Sequence, residues 1–401
     1  MSKATSFSTI KGDGPNYITL LVGLGTLILM GLGAAYYMEH NGHHVTGMNN
    51  QIVWGVPHVF AIFLIVAASG ALNVASIASV FGRTEYKPLA RMSGLLALTL
   101  LAGGLTVLLL DLGRPDRLII AMTMYNFKSI FAWNIILYSG FFVIVGLYLW
   151  TMMQRSMVKY TKMAGLAAFI WRLVLTSGTG SIFGFLVARQ GYDATIMAPM
   201  FIIMSFSFGL AVFLLVVMST CNGTGRELGD ETLYRLKNLL GVFVAAVMYF
   251  VTVKHLGNLY AAEHSGVEQF ILFKGGIITT LFWGGQILVG GILPLILLYG
   301  SGTGKSRSAI ATAAVLVILG GFAQIYVIII GGQAYPLEIF PGYDVTGGAF
   351  FDGKVGEYTP TLAEFLLGFG GVGVTFMLTA VALKFLPFFP DSLASGEESS
   401  D

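Results

Sequence analysis

The sequence predicts an all-α integral membrane protein: ten transmembrane helices, arranged as two parallel-repeat four-helix bundles (helices 2–5 and 6–9) flanked by helices 1 and 10. Three observations lead there. Of the 401 residues, 56% are hydrophobic and only 10% charged, against about 25% charged in a globular domain. The apolar residues fall in blocks of about 20 or more, each long enough to cross a hydrocarbon core roughly 30 Å thick. The sequence also carries 52 Gly and 17 Met, which suit helices packed closely in lipid, where small residues let backbones approach. A soluble enzyme and a disordered chain are excluded. A formal net charge of +2 gives no bulk attraction to polyanions, which argues against nucleic acid as a partner. The single cysteine, Cys221, leaves no intramolecular disulfide and no four-cysteine iron–sulfur cluster.

In chain order, helices are read near 17–37, 52–81, 89–110, 130–152, 163–188, 196–219, 239–260, 271–299, 308–331 and 361–386. The first follows a short polar stretch, 1–16, and has no small-residue cleavage site after it, so it is read as a retained span. The second carries Pro57-His58 near its start, and the third ends in Asp111-Leu112-Gly113-Arg114. The fourth opens with Phe131-Ala132-Trp133-Asn134, the fifth holds Arg172 near its middle, and the sixth contains Pro199. The seventh ends in Lys254-His255-Leu256-Gly257-Asn258, and the eighth opens with Leu281-Phe282-Trp283-Gly284. Before the ninth, Gly300 to Ser306 imitates a phosphate-binding loop, but Tyr299 stands where its first Gly is required. The segment 332–360, with Pro336, Pro341, Glu338, Asp344, Asp352 and Glu357, is a solvated connector or else a docking surface or lid. The acidic tail, 387–401, is expected to be disordered toward its end.

Orientation follows from Lys and Arg in the short loops. Fourteen of them, from Lys3 to Lys384, lie on the side of the termini; Arg114, Arg117, Lys128, Arg189 and Lys354 lie on the other. Both termini are therefore expected in the cytoplasm. Arg172, Lys254 and Lys274 remain inside or at the margins of spans, where charge is expensive and usually has a role.

Pro57 matches Pro199, Asp111-Leu112-Gly113 matches His255-Leu256-Gly257, and Ala132-Trp133 matches Phe282-Trp283, at slowly growing offsets. These matches suggest parallel repeats, one about 52–188 and the other about 196–331.

Depth along each span brings a set of polar residues to the outer side. His58, Asp111, Arg114, Trp133 and Asn134 form one group; Lys254, His255 and Asn258 form a second-repeat cluster. That depth suits a lipid-soluble quinone head group, whose oxidation needs a proton acceptor such as His or a carboxylate. Each residue also has an ordinary structural use: a buried histidine, a helix-end Asp111–Arg114 ion pair, an interfacial Trp133, a snorkelling Lys254. A polar trail of Ser69, Asn73 and Ser76 on the second span, with Arg172 and Thr176 on the fifth, either lines a proton path or fills helix contacts. His58 and His255 could instead hold a haem b. His40, His43 and His44 could weakly bind a metal but read as a solvated loop. A secondary transporter or ion pathway is the other alternative.

The run Asp111-Leu112-Gly113-Arg114-Pro115-Asp116-Arg117, followed by Ser129-Ile130-Phe131-Ala132-Trp133-Asn134, resembles the signature of the NrfD/polysulfide-reductase membrane subunits, over about 17–386. The ten-span form is similar to the branch containing DsrP, of the sulfite-reductase-associated DsrMKJOP complex, and HmcC. The resemblance implies an integral subunit holding no haem and no iron–sulfur cluster, with menaquinone or ubiquinone as bound substrate near the outer face. The partners it implies are a periplasmic ferredoxin-like iron–sulfur subunit, a multihaem cytochrome c, a second membrane cytochrome b subunit and a cytoplasmic iron–sulfur subunit. Only the Asp111–Arg114 motif carries over directly; some family members have Gly where Asn134 stands.

Overall fold

The computed structural model describes residues 6–336 and 353–393. The segment with Glu338, Pro341, Asp344 and Asp352, and the last residues of the tail, lie outside them.

The long helices are α1 (Pro15–Asn41), α2 (Val56–Ser79), α3 (Thr84–Leu110), α4 (Ile130–Met153), α5 (Thr161–Ile182), α6 (Met197–Thr224), α7 (Asp230–Tyr260), α8 (Ile277–Tyr299), α9 (Arg307–Ala334) and α10 (Leu362–Phe385). Among the described residues, nine of these are long and apolar enough to cross a membrane, and α5 is not one of them. The expectation of ten apolar spans therefore differs at one helix. Lys162, Arg172 and the run Thr176-Ser177-Gly178-Thr179-Gly180-Ser181 dilute it, although it still packs between α4 and α6. Helix α7 begins at Asp230, well before the expected 239. Asp230 and Glu231 occupy its first turn, where a negative charge favours the helix dipole.

Helices α2 to α5 touch in sequence, and α5 returns to α2; α6 to α9 do the same, with α9 returning to α6. The two rings meet chiefly along α2 and α6, while α1 packs on α10, and α10 on α3 and α2. At the α2–α6 crossing, a methyl on Gly70 would strike the carbonyl of Ser205, and one on Gly209 would strike the backbone of Gly70 and Ala71. Small residues are thus required where the rings approach. Helix α2 breaks its regular winding between Ala71 and Asn73. There Ser93 Oγ donates to Ala71 O (2.6 Å) and accepts from Ala75 N (3.0 Å), the kind of side-chain insertion that bends a helix.

Both described ends of the chain meet at one end of the bundle. Strand β1 (Phe7–Ser8) pairs antiparallel with β2 (Phe389–Pro390). Arg226, after α6, donates to the carbonyls of Phe389 (3.1 Å), Pro390 (3.0 Å) and Thr9 (3.0 Å). Ser6 and Ser8 donate to the Asp391 carboxylate. We call this the near end and the opposite one the far end.

Candidate functional site

A cavity of about 400 Å³ opens at the far end between α2, α3 and α4. Its walls are mostly apolar: Leu105, Leu108 and Leu109 from α3, Phe131 from α4, and Phe183 just past α5. Leu118 and Met122 of the short helix Leu118–Thr123 lie over it. Its polar lining comes from His58, Asn134, Tyr138 and Ser139.

His58 sits in the first turn of α2, which Pro57 starts; Pro is preset for that position. Its Nδ1 lies 2.7 Å from Asp111 Oδ2, and the Asp111 side chain is 1% exposed. The contact is at ion-pair distance but not aligned as a good hydrogen bond, and Asp111 has no hydrogen-bond donor among the described residues. Asp111 also caps the C-terminal end of α3, where the helix dipole disfavours a carboxylate. His58 is thus the side chain that faces the Asp111 carboxyl within ion-pair distance.

The expected Asp111–Arg114 pair does not form. Gly113 turns the chain at φ +68°, a conformation that suits Gly, and Arg114 faces outward. Arg114 Nε and Nη2 grip Asp116 Oδ1 and Oδ2, each at 2.9 Å. The bond to Arg114 holds the Asp116 carboxyl below its usual range, and Asp116 holds the guanidinium above its own. Trp133 is also outside the cavity, its indole N–H donating to Phe127 O at 2.8 Å. Asn134 does line the cavity and is buried. Its Nδ2 donates to Ile130 O (2.9 Å) and Gly178 O (3.2 Å).

Two wall residues escaped the sequence reading. Tyr138 follows Asn134 by one turn, a helical neighbour that spacing alone could have flagged. Trp54 precedes α2 in an irregular segment; its ring stacks on His58 at 6.0 Å and meets Phe131 and Phe183 edge-on at 5.9 Å each.

The polar trail is only partly assembled. Arg172 Nη1 donates to Ser69 O (3.2 Å), and Thr176 Oγ1 donates to Ser69 Oγ (2.6 Å). The Arg172 guanidinium also lies 5.0 Å from the ring centres of Phe169 and Phe206, in the geometry of a cation over aromatic faces. Ser76 bonds back to Leu72 O at 3.0 Å. Asn73 Nδ2 and Arg172 Nε are buried without a hydrogen-bond acceptor among the described residues.

In the second ring, Glu268 joins the expected cluster. Its Oε2 lies 2.5 Å from His255 Nδ1, and Oε1 accepts from Asn258 Nδ2 at 2.7 Å. Glu268 is fully buried, beside buried Lys254 on α7. Burial pushes its carboxyl up, but the His255 bond, the charges of His255 and Lys254 and the Asn258 bond outweigh that and hold it below the usual value. Glu268 lies between apolar blocks, so depth along a span did not point to it. His255 packs edge-on against Phe282 at 4.7 Å and does not line the cavity beside His58. Among the described residues, no three His, Cys, Asp or Glu side chains gather as a metal site, the histidines at 40, 43 and 44 included.

The sequence profile described as "Polysulphide reductase, NrfD" matches residues 44–336. Over 391 residues the protein is 29% identical to the "Hdr-like menaquinol oxidoreductase integral membrane subunit" of Archaeoglobus fulgidus, covering 97% of its own length and 98% of the relative. It is 27% identical over 400 residues to a putative dimethyl sulfoxide reductase membrane subunit of Halobacterium salinarum, covering 91% and 90%. It is 20% identical over 389 residues to the "Menaquinone reductase, integral membrane subunit" of Nitratidesulfovibrio vulgaris, covering 90% and 89%.

Proposed function

The chain belongs to the NrfD family of polysulphide reductase membrane subunits, and from that premise we propose that it is the quinone-interacting membrane subunit of a redox complex. The observation that carries the reading is half-buried His58 on the wall of an apolar cavity of about 400 Å³, with the buried Asp111 carboxyl against its Nδ1. The volume falls within the usual range for small-molecule pockets, about 300–1,000 Å³. Relatives named as a menaquinol oxidoreductase subunit and a menaquinone reductase subunit support a quinone as the ligand.

A bound quinol supplies two electrons and two protons. Asp111 faces His58 Nδ1, which leaves Nε2 as the ring nitrogen free to take a proton from a hydroxyl in the cavity. The carboxylate then stabilises the imidazolium and fixes which nitrogen carries the proton. Asn134 and Tyr138 supply further polar contacts, and Trp54, Phe131 and the leucines of α3 exclude water. Reduction of a quinone would run these transfers in reverse.

The finer placement is part of the same proposal. The near end faces the cytoplasm and the far end the periplasm of an inner membrane, as the Lys and Arg count suggests. Electrons pass at the far end to or from a ferredoxin-like iron–sulfur subunit. The other partners in a DsrMKJOP-like complex are a multihaem cytochrome c, a membrane cytochrome b subunit and a cytoplasmic iron–sulfur subunit. The two rings are copies of one unit. Ser69, Thr176 and Arg172, continued by Asn73 and Ser76, are a stretch of a proton path toward the near end.

The test is anaerobic titration of the purified complex with a menaquinol analogue. The proposal expects saturable binding, and loss of quinol-linked electron transfer when His58→Ala and Asp111→Asn are combined in a complex that still assembles. Absent binding together with unchanged electron transfer would overturn it.

A further inference from the structure

We infer that Gln333 and Tyr358, neither of which lines the cavity, are positioning residues for its Trp54–His58 wall. The inference rests on the quinone reading of that cavity and adds what holds the wall in place. Residues 46–55, which lead into α2, form no regular helix or strand. Asn49 Oδ1 accepts from Gln51 N and Ile52 N within the segment, but the backbone donors at Trp54 and its neighbours must find partners elsewhere, since a buried unpaired N–H is costly.

Those partners come from α9 and from the approach to α10, outside the ring that holds the cavity. Gln333, near the end of α9, is 1% exposed. Its Oε1 accepts from Val53 N (2.9 Å) and Trp54 N (3.0 Å). Its Nε2 donates to Trp54 O (2.9 Å) and Ile329 O (3.0 Å). All four bonding positions of the amide are used, and three grip the backbone at Val53 and Trp54. Arg189 closes the joint, donating to Gln333 O (2.8 Å) and Gln51 O (2.9 Å).

Two residues further on, Val56 N donates to the Tyr358 hydroxyl at 2.7 Å. Val56 opens α2, so this N–H is one of the orphan donors of a helix N-terminus. Tyr358 in turn donates to Glu364 Oε1 at 2.6 Å. Glu364 is fully buried in the first turn of α10, and its Oε2 accepts from Gly47 N (3.0 Å) and Thr361 N (2.7 Å). A methyl on Gly55 would come within 2.6 Å of the Tyr358 hydroxyl, so Gly55 is the residue that lets these groups close on the turn. Gln333 therefore holds the backbone at Val53 and Trp54, and Tyr358 the start of the turn carrying His58, with Arg189 and Glu364 fastening Gln51 and Gly47 further back. Removing either group frees backbone donors and lets the Trp54 ring leave His58.

The experiment measures steady-state quinol oxidation by the complex, with amide hydrogen exchange of the 46–58 peptide read alongside. Gln333→Ala and Tyr358→Phe are expected to raise KM for a menaquinol analogue about tenfold, the effect of one to two lost hydrogen bonds, while kcat at saturation changes less than about threefold. Exchange of the 46–58 peptide should quicken in both. Gln333→Ala should add nothing in a Trp54→Ala background, because it acts through that ring. Tyr299→Phe, which removes a 3.2 Å bond to Asn238 O near the other end of the bundle, should leave KM unchanged. An unchanged KM in Gln333→Ala and Tyr358→Phe, or losses that add to Trp54→Ala, would overturn the inference. Failure of the unaltered complex to bind the analogue would overturn the quinone reading instead, and quickened exchange with an unchanged KM would overturn the positioning role alone.

Discussion

Asp111→Asn keeps the volume of the side chain at the centre of the site and removes its charge. In the structure Asp111 is buried, lies 2.7 Å from His58, and has no other cation within ion-pair reach among the described residues. The substitution therefore turns a charge-assisted contact into a neutral one. Bonds to charged groups contribute about 1.5–3 kcal/mol and neutral ones about 1 kcal/mol, so the imidazolium loses on the order of 0.5–2 kcal/mol of stabilisation. That corresponds to a drop of roughly 2- to 30-fold in proton acceptance by His58. An amide can also present its N–H₂ to Nδ1 and select the wrong tautomer, which adds to the loss. The expected result is a fall in kcat/KM for quinol oxidation of at least the upper part of that range. The assay is anaerobic quinol oxidation by the assembled complex in proteoliposomes, with binding of a non-oxidisable quinone analogue measured in parallel. Analogue affinity should change less than turnover, because the charge matters most when the proton moves. Turnover of Asp111→Asn equal to wild type, with the complex fully assembled, would show that the Asp111 charge takes no part in proton acceptance by His58.

The second carboxylate–histidine contact gives a stability prediction. Glu268→Leu leaves His255 and Asn258 without their shared acceptor and removes the negative charge near Lys254, so the fold in detergent should be destabilised by about 3–5 kcal/mol. The double variant with His255→Leu should recover part of that, and an unshifted thermal midpoint would remove the pair as a structural element. At the contact of the two rings, Gly209→Ala places a methyl against the backbone of α2 and should cost about 1–3 kcal/mol or more, read as a lower midpoint or failed insertion. At the near end, the hydroxyls of Ser6 and Ser8 hold the Asp391 carboxyl below its usual value. Its contribution to the clasp is present above about pH 4, the ordinary carboxylate value, and is lost as pH falls through the lower folded one. The protection factors of amides 6–9, corrected for the intrinsic pH dependence of exchange, should stay constant from neutral pH down to that point and fall below it, and Asp391→Asn should abolish the dependence.

Much of the architecture was legible because lipid imposes a simple rule: each span must be a long apolar run. The exception, α5, shows its limit. A helix shielded by neighbours on both sides can carry Arg172 and a run of Ser, Thr and Gly, and its pattern then falls below that of a lipid-facing span. Depth along the spans was also enough to bring His58, Asp111 and Asn134 to one level. It could not decide pairing. Asp111 and Arg114 are neighbours only if the helix continues, and Gly113 ends it, so Asp111 turns to His58 and Arg114 to Asp116. Glu268 was hidden for a related reason: it lies between apolar blocks, where position along a helix says nothing about depth. The wall of the cavity was the least legible part. Gln333 reaches Trp54 across 279 residues, and Tyr358 reaches Val56 across 302. Such meetings depend on how the two rings and α10 pack, which no local pattern records.

The proposed quinone site lies at the far end between α2, α3 and α4. Two other cavities compete for the quinone at the near end. One of about 520 Å³ is lined by residues such as Leu20, Val216 and Phe376, and one of about 890 Å³ surrounds Cys221 and Arg307. Photolabelling of the intact complex with an azido-naphthoquinone, followed by peptide mapping, separates them. A quinone bound at the far end places label on stretches 105–112 and 131–139, competed by menaquinone and lost in His58→Ala. Label confined to 212–224 or 372–383, with the far-end peptides unmodified, would contradict it.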